Sequence, residues 1–304
     1  VNERLKLRGP DHTEILSIDK PRKMNFVHNL LSITGKFTVQ PFYEDDIVCL
    51  YNGEIYNYSD FGDYESDGLS LIPLYKEYGN DFVKKLDGEF VIVLVDLKKN
   101  TLLLSTDIFK TKPVYVAKDG EDFGISSYVS PLERLGYKNI FKLEANKTFV
   151  FSLEDFSILE EKELFTFDLN QHKDNFDDWN EAFKNSIKKR TDNIREHLFL
   201  GLSSGYDSGA IACELFNNKV NYKVYSVYGR ENYEIVKSRH DLISKYSETE
   251  FLDIVNHRDE SQRYIIDNTD PYQFEIYTKH GYHDPYMTNL LTNDSGAIGL
   301  SYIC

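Results

Sequence analysis

Residues 198–215 read LFLGLSSGYDSGAIACEL, an apolar run that passes through Ser-Ser-Gly-Tyr-Asp-Ser into a segment with helical spacing. A strand feeding a tight loop and then a helix is the opening of a parallel α/β unit, which narrows what the rest of the chain can build around it. Such a loop has two chemical uses. Backbone N–H groups at the helix N-terminus can hold phosphate, or a serine can be thrust upward as a nucleophile. Locally the sequence satisfies both. Gly201-Leu202-Ser203-Ser204-Gly205 fits the G-x-S-x-G elbow, while Ser203 to Ser208 offers hydroxyls, successive N–H groups and one carboxylate, Asp207, suited to a magnesium ion.

Downstream, strands expected at Tyr222–Tyr228 and Thr249–Ile254 alternate with helices at Ser208–Asn217 and Tyr233–Tyr246, and an amphipathic helix over Phe176–Glu196 precedes them. This alternation predicts an α/β doubly wound parallel sheet whose ligand lies beyond the carboxyl ends of the strands, where Ser203–Ser208 falls. The first part of the chain reads differently. Met24–Ile33, Asp46–Tyr51, Gly88–Leu97, Leu102–Ser105, Pro113–Ala117, Phe123–Ser127 and Thr148–Ser152 are short β-rich runs, and Leu69–Tyr78 carries the apolar spacing of a helix. They predict a layered antiparallel-sheet α+β domain. With 304 residues there is room for two domains. Their expected limits are 1–160 and 175–304, with residues 161–174 as the connection, overlapping the charged stretch Asp155–Lys173, which has no Gly or Pro.

The formal charge of -15 argues against a nucleic-acid or anionic-membrane partner, since little would offset phosphate repulsion over most of the surface. It leaves room for ATP, which needs only a local pocket and a metal ion. Cys49, Cys213 and Cys304 form no CxxC pair, which suits a reducing compartment and a cytoplasmic protein. No apolar run approaches the roughly 18 residues of a spanning helix, and no signal-peptide pattern opens the chain. The chain begins at Val1, its methionines are Met24 and Met287, and it stops within an apolar segment at Cys304, so that a fragment cut at both ends is expected.

Taken singly, the remaining motifs have ordinary explanations. Asn52-Gly53 between apolar runs signals a type I′ hairpin, Arg8-Gly9-Pro10-Asp11 a surface turn and Ser66-Asp67 a helix cap. Functionally, an Asn amide and a Gly N–H can form an oxyanion hole. His280-Gly281-Tyr282-His283 has no third ligand close by and is assigned no role.

In series the motifs carry more. RGPD, then His28–Ile33 (HNLLSI), YNGEIYN, Ser66-Asp67-Gly68 and Leu86–Phe90 (LDGEF) resemble the glutaminase domain of class II amidotransferases. Ser203–Ser208 resembles the SGGxDS pyrophosphate loop of N-type ATP pyrophosphatases, and the two together resemble the glutamine-dependent asparagine synthetase family. The resemblance implies an Ntn-hydrolase-like αββα first domain and an ATP pyrophosphatase second domain. It implies an N-terminal cysteine that attacks the glutamine amide, with Asn52 and Gly53 as the oxyanion hole. Glutamine would be held by Ile33, Thr34, Asn52, Gly53, Glu54 and Asp67, the last taking its α-ammonium. Ammonia would then meet an aspartyl-adenylate made with ATP and Mg²⁺, releasing AMP and pyrophosphate. ATP would lie on Leu202, Ser203, Ser204, Gly205, Asp207, Ser208, Val227, Tyr228 and Gly229, with the metal at Asp207. A homodimer is the candidate assembly.

The sequence departs from that pattern in three places. The nucleophilic cysteine would lie upstream of Val1. Leu30 stands where the family has an arginine that pairs with the glutamine carboxylate, and losing that hydrogen bond weakens glutamine binding by about 10- to 150-fold. Ser204 and Tyr206 replace a glycine and a small aliphatic residue in the loop. A second phosphate-contacting segment would lie beyond Cys304, so these 304 residues should not catalyse synthesis alone. Three other readings stay open. One is a same-fold enzyme without glutaminase activity, β-lactam synthetase-like or acting on another carboxylate. The second is a non-catalytic descendant that binds ATP or a partner. The third is an α/β serine hydrolase using Ser203, with His240, His257, His280 or His283 as its base.

Overall fold

The computed structural model describes residues 2, 5–192, 194, 197–227, 231–252, 259–260 and 262–265. The chain divides into two compact units, Val1–Gln171 and His172–Cys304.

The first unit is organised by a six-stranded antiparallel sheet. In spatial order it runs β11 (Ile158–Glu163), β10 (Lys147–Ser152), β6 (Thr101–Thr106), β5 (Gly88–Asp96), β4 (Ile47–Ile55) and β3 (Phe42–Glu44). Alternation along β4 and β5 sorts residues to opposite faces. Ile47, Cys49 and Tyr51 of β4, with Phe90, Ile92 and Leu94 of β5, pack with Leu71, Ile72, Leu74 and Tyr75 of helix α1 (Leu71–Tyr78) and with Phe82 and Val83 from the 3₁₀ turn Gly79–Lys85. Val48, Val91 and Val95 face the other way. They meet Val114, Val116 and Phe151, together with Leu16, Ile18, Met24 and Phe26 from the antiparallel pair β1 (His12–Ile18) and β2 (Met24–Leu30). A third sheet, in the order β8 (Asp122–Ser126), β7 (Tyr115–Asp119) and β9 (Ile140–Lys142), is backed by helix α2 (Val129–Arg134) through Tyr115, Ala117, Val129 and Leu132. Helix, large sheet, smaller sheets and helix therefore stack in the αββα layering that the resemblance implied. Each fully buried Leu, Ile or Phe in these layers contributes about 1.5–3 kcal/mol relative to an exposed one.

Two local expectations fail for instructive reasons. Asn52-Gly53 is no hairpin tip. Both residues lie within β4, opposite Val91 and Phe90 of β5. The dipeptide rule assumes that the apolar runs on either side are separate strands, and here one strand runs straight through. The charged stretch from Asp155 does not begin a linker either. Ile158–Glu163 pairs with β10, and the unit closes only at Gln171. Its residues are exposed Ile158 and Leu159 followed by charged Glu160, Glu161, Lys162 and Glu163, because an edge strand facing solvent needs no buried side.

In the second unit, α3 (Asp177–Thr191) precedes a three-stranded parallel sheet of β12 (Leu198–Gly201), β13 (Tyr222–Val227) and β14 (Thr249–Leu252). The crossovers are α4 (Tyr206–Asn217) and α5 (Tyr233–Ile243). Ile187, Ala212, Leu215 and Ile243 close over Leu202, Tyr222 and Val224. The described strands follow one another in chain order, so the order reversal of a doubly wound sheet is not among them.

Candidate active site

The motifs of the first unit meet at the end of β4. Asp11 from the RGPD turn accepts the Ser32 N–H at 2.7 Å and its own N–H reaches the Leu30 carbonyl at 3.0 Å, which fixes HNLLSI against RGPD. The chain then brings Thr34 to Glu54, whose carboxylate it hydrogen-bonds, and Lys36 N–H to the Glu65 carbonyl at 2.7 Å, beside Asp67. Gly53 has φ +152°, and a Cβ there would lie 1.9 Å from the Glu89 carbonyl oxygen. Only glycine fits so close a backbone approach. By strand alternation Asn52 and Glu54 share a face.

Asp67 is 2% exposed. Its Oδ1 accepts the Tyr51 hydroxyl at 2.6 Å, the Gly68 N–H at 2.8 Å and the Ser66 hydroxyl at 3.2 Å, while Oδ2 accepts the Ile55 N–H at 2.9 Å. A carboxylate offers about four lone-pair sites, so these donors fill it. Burial pushes the Asp67 carboxyl up, and its four donors pull it part of the way back. Asp67 is thus the keystone of this corner, and any direct grip on a ligand would have to share sites already taken.

Glu54 is the more available acid. It stands directly across the β4–β5 ladder from Glu89. Like charges in that position repel. Tyr56 donates its hydroxyl to Glu89, and the Lys112 ammonium approaches the other oxygen at 3.3 Å. Lys112 is aimed there by its loop, which Asp107 ties down by accepting the N–H groups of Phe90, Phe109 and Thr111. Desolvation, then the Asp67 charge, pushes the Glu54 carboxyl up to about 7. The site is therefore a partly buried acidic corner whose charge changes near neutrality. Sequence reasoning named Thr34, Glu54 and Asp67 but missed Glu89, Lys112, Tyr51 and Tyr56. The signal was the strand register, which only the pairing of β4 with β5 supplies. Ile33 precedes the Thr34 bridge, and Leu30 is buried at the end of β2.

No described thiol of the first unit can serve this corner. Cys49 is wholly buried under α1, where desolvation drives its pKa far above the ordinary range, and Cys213 belongs to the second unit.

Residues 1–166 match the family described as glutamine amidotransferase domain. This chain belongs to that family. Among its relatives, a protein designated putative glutamine-hydrolyzing asparagine synthetase 1 from Methanocaldococcus jannaschii is 29% identical over 245 residues, which are 69% of this chain and 43% of the relative. The glutamine-hydrolyzing asparagine synthetase of Asparagus officinalis is 34% identical over 127 residues, 38% of this chain and 21% of that one. The chain spans less than half the length of these relatives. A solved structure described as the allosteric regulatory enzyme of purine biosynthesis aligns with 76% of this chain and 67% of its own, at 13% identity and TM-score 0.41.

Beyond the amidotransferase unit, the loop after β12 has its own geometry. Leu202 is buried, with its N–H on the Tyr225 carbonyl at 2.7 Å. Ser203 and Ser208 stitch the turn together. Ser203 N–H donates to Ser208 Oγ at 3.1 Å, Gly205 N–H donates to Ser203 Oγ at 3.1 Å, and the two hydroxyls lie 2.8 Å apart. Arg239 from α5 donates to the carbonyls of Ser203 at 2.5 Å and Gly205 at 2.8 Å. Gly209 makes room for it, since a Cβ there would come within 2.7 Å of the guanidinium. Gly205 is the N-cap of α4 without a side-chain cap bond. Asp207 is exposed in the first turn, and Val227 ends β13. Tyr228 and Gly229 lie outside the described residues, as do His257, His280 and His283.

The elbow chemistry finds no base at Ser203 among the described residues. His240 is instead 2.7 Å from Ser226 Oγ, which donates its proton to the Leu202 carbonyl at 2.6 Å. A serine has one hydroxyl proton, so the histidine must donate from Nε2, leaving buried Nδ1 without a hydrogen-bond partner. Burial lowers the His240 pKa.

Proposed function

We propose that the chain is part of a glutamine-dependent amide ligase of the asparagine synthetase type, in which the amidotransferase unit releases ammonia and the second unit activates a carboxylate with ATP. The single observation that carries this reading is the meeting of Thr34, Glu54 and Asp67 beside Asn52-Gly53 at one end of β4. Glu54 supplies the negative charge for a substrate ammonium, with Asp67 holding the corner in shape. The Ile33–Thr34 backbone positions the substrate. The Asn52 amide and the Gly53 N–H are the donors for the tetrahedral oxyanion. The attacking thiol is assigned to sequence outside these residues, because burial keeps the Cys49 thiol protonated.

In the second unit the nucleotide phosphates fall to Ser204, Gly205 and the opening N–H groups of α4, with Leu202, Ser203, Ser208 and Val227 shaping the pocket. The Tyr228-Gly229 segment is proposed for the adenine. Support for an anion here is a stand-in. The Glu231 carboxylate, in the place of a phosphate oxygen, accepts the Ser204 N–H at 2.5 Å and its hydroxyl. Asp207 is the proposed magnesium ligand. One exposed carboxylate suits an ion that keeps several waters and takes phosphate oxygens, and no described group gathers three metal-binding side chains. When bound, the ion would neutralise charge on the departing pyrophosphate.

The acceptor is proposed to be aspartate and the place of action the cytoplasm; no helix among the described residues is long and apolar enough to cross a membrane. Buried Leu30 favours a second reading, in which the amidotransferase corner no longer uses glutamine and the ligase works from ammonia or an internal amine. The deciding experiment is aspartate-dependent AMP formation by the natural full-length protein, with glutamine and ammonium compared as donors. AMP formation with ammonium but not with glutamine selects the ammonia form of the second reading, and no aspartate-dependent AMP with either donor removes aspartate as the acceptor.

A further inference from the structure

Glu231 does more than mark the loop as a place for an anion. It comes from the connection between β13 and α5 and reaches the Ser204 N–H at 2.5 Å and the Ser204 hydroxyl. The Ser204 hydroxyl in turn accepts the Asn232 N–H at 3.2 Å, and Asn232 caps α5 by accepting the Ile235 N–H at 3.3 Å. A serine hydroxyl has one proton to give, so its orientation toward Glu231 is set by Asn232. Arg239, further along α5, grips the loop by the carbonyls of Ser203 and Gly205. The start of α5 therefore places a negative charge on the loop's donors, while its middle holds the loop backbone still.

We infer that Glu231 is an internal competitor for the phosphate group, a latch that occupies the Ser204 donors until a more highly charged anion displaces it. This rests on the proposed role of Ser203–Ser208 as an anion cradle, and it adds that the cradle is closed at rest by the chain's own carboxylate. Displacement frees the link between the β12 and β13 loops, so that anion binding loosens Ser204 from the start of α5. Ser204 is central to the device. A glycine there would leave the N–H but remove the hydroxyl that bridges Glu231 and Asn232.

The test is titration calorimetry of inorganic pyrophosphate onto the natural full-length protein, with and without Mg²⁺, comparing wild type with Glu231→Gln, Glu231→Ala and Ser204→Gly. A latch engaged about nine-tenths of the time weakens apparent affinity about tenfold. Both Glu231 variants are therefore expected to bind pyrophosphate about tenfold more tightly than wild type, and Ser204→Gly by a smaller factor. Should all four bind with equal affinity, or the Glu231 variants more weakly, the latch is refuted and the cradle stands. If none binds at millimolar pyrophosphate, the cradle reading itself falls and the latch with it. Unchanged circular dichroism is required of each variant, and Glu231→Ala and Ser204→Gly carry the test if Glu231→Gln fails to fold.

Discussion

Replacing Glu54 by glutamine should make the amidotransferase unit more stable above neutrality and leave it unchanged in mild acid. In the folded chain the Glu54 carboxyl is pushed from 4.5 up to about 7, chiefly by desolvation. Below about pH 4.5 the group is protonated in both folded and unfolded chains. Between there and pH 7 the unfolded chain gives up the proton while the folded one keeps it, so stability declines as pH rises. Above pH 7 both are ionised and the folded state bears the whole cost of a charge beside Asp67 and Glu89. At about 1.4 kcal/mol per pKa unit this amounts to about 3 kcal/mol at pH 8, an upper figure because Glu54 keeps some solvent. In the Glu54→Gln variant the amide oxygen accepts the same Thr34 hydrogen bond without the charge. The readout must come from the right unit. The only tryptophan, Trp179, lies in α3, so its fluorescence follows the other one. Urea-dependent hydrogen exchange of the peptide spanning residues 47–55, at pH 4.5 and pH 8, reports β4 directly. A variant that is less stable than wild type at pH 8, or whose advantage is the same at both pH values, would refute the assignment of a buried, titrating carboxyl.

Four further outcomes are expected. Gly53→Ala, which must place a methyl 1.9 Å from the Glu89 carbonyl oxygen, should lose about 3 kcal/mol or more in chemical denaturation. Asp67→Asn should lose about 2–4 kcal/mol in the same assay, because an amide offers one acceptor oxygen to the donors of Tyr51, Ile55, Gly68 and Ser66. Iodoacetamide followed by mass spectrometry should modify exposed Cys213 in the native chain and reach buried Cys49 only after unfolding. Leu30→Arg should strengthen calorimetrically measured glutamine binding by about tenfold or more, and Leu30→Met should not.

What the sequence made legible follows from the kind of signal each element carries. β5 alternates between two buried faces and is apolar almost throughout, and α1 carries Leu71, Leu74 and Tyr75 on one side, so both are plain in the residues. The strand–loop–helix at Leu198–Asn217 is equally plain, although α4 begins at Tyr206, two residues before the expected start. β1 and β3 were not anticipated, because each buries only part of one face. At the site, Thr34, Glu54 and Asp67 were named from motif order, whereas Glu89 and Lys112 enter through register and through the Asp107 turn. No local pattern in the chain encodes that Glu54 and Glu89 are cross-strand partners. Glu231 escaped for a similar reason: it lies 27 residues from Ser204 and meets it only because parallel strands bring successive loops to the same edge.

The outermost strand of the large sheet has a meaning for where the polypeptide can be divided. β11 reads Ile-Leu-Glu-Glu-Lys-Glu, with Lys147 paired to Glu161 and Lys162 to Glu160. The charged groups from Glu160 to Glu163 make this rim unattractive to a neighbouring strand, since a second sheet docking there would have to strip water from each of them. A break at residue 160 would remove Glu161, Lys162 and Glu163 and uncover the N–H and C=O groups of their β10 partners, Phe149, Thr148 and Lys147. An amidotransferase unit ended there should self-associate, whereas one ended after Gln171 keeps its own barrier to fibre growth.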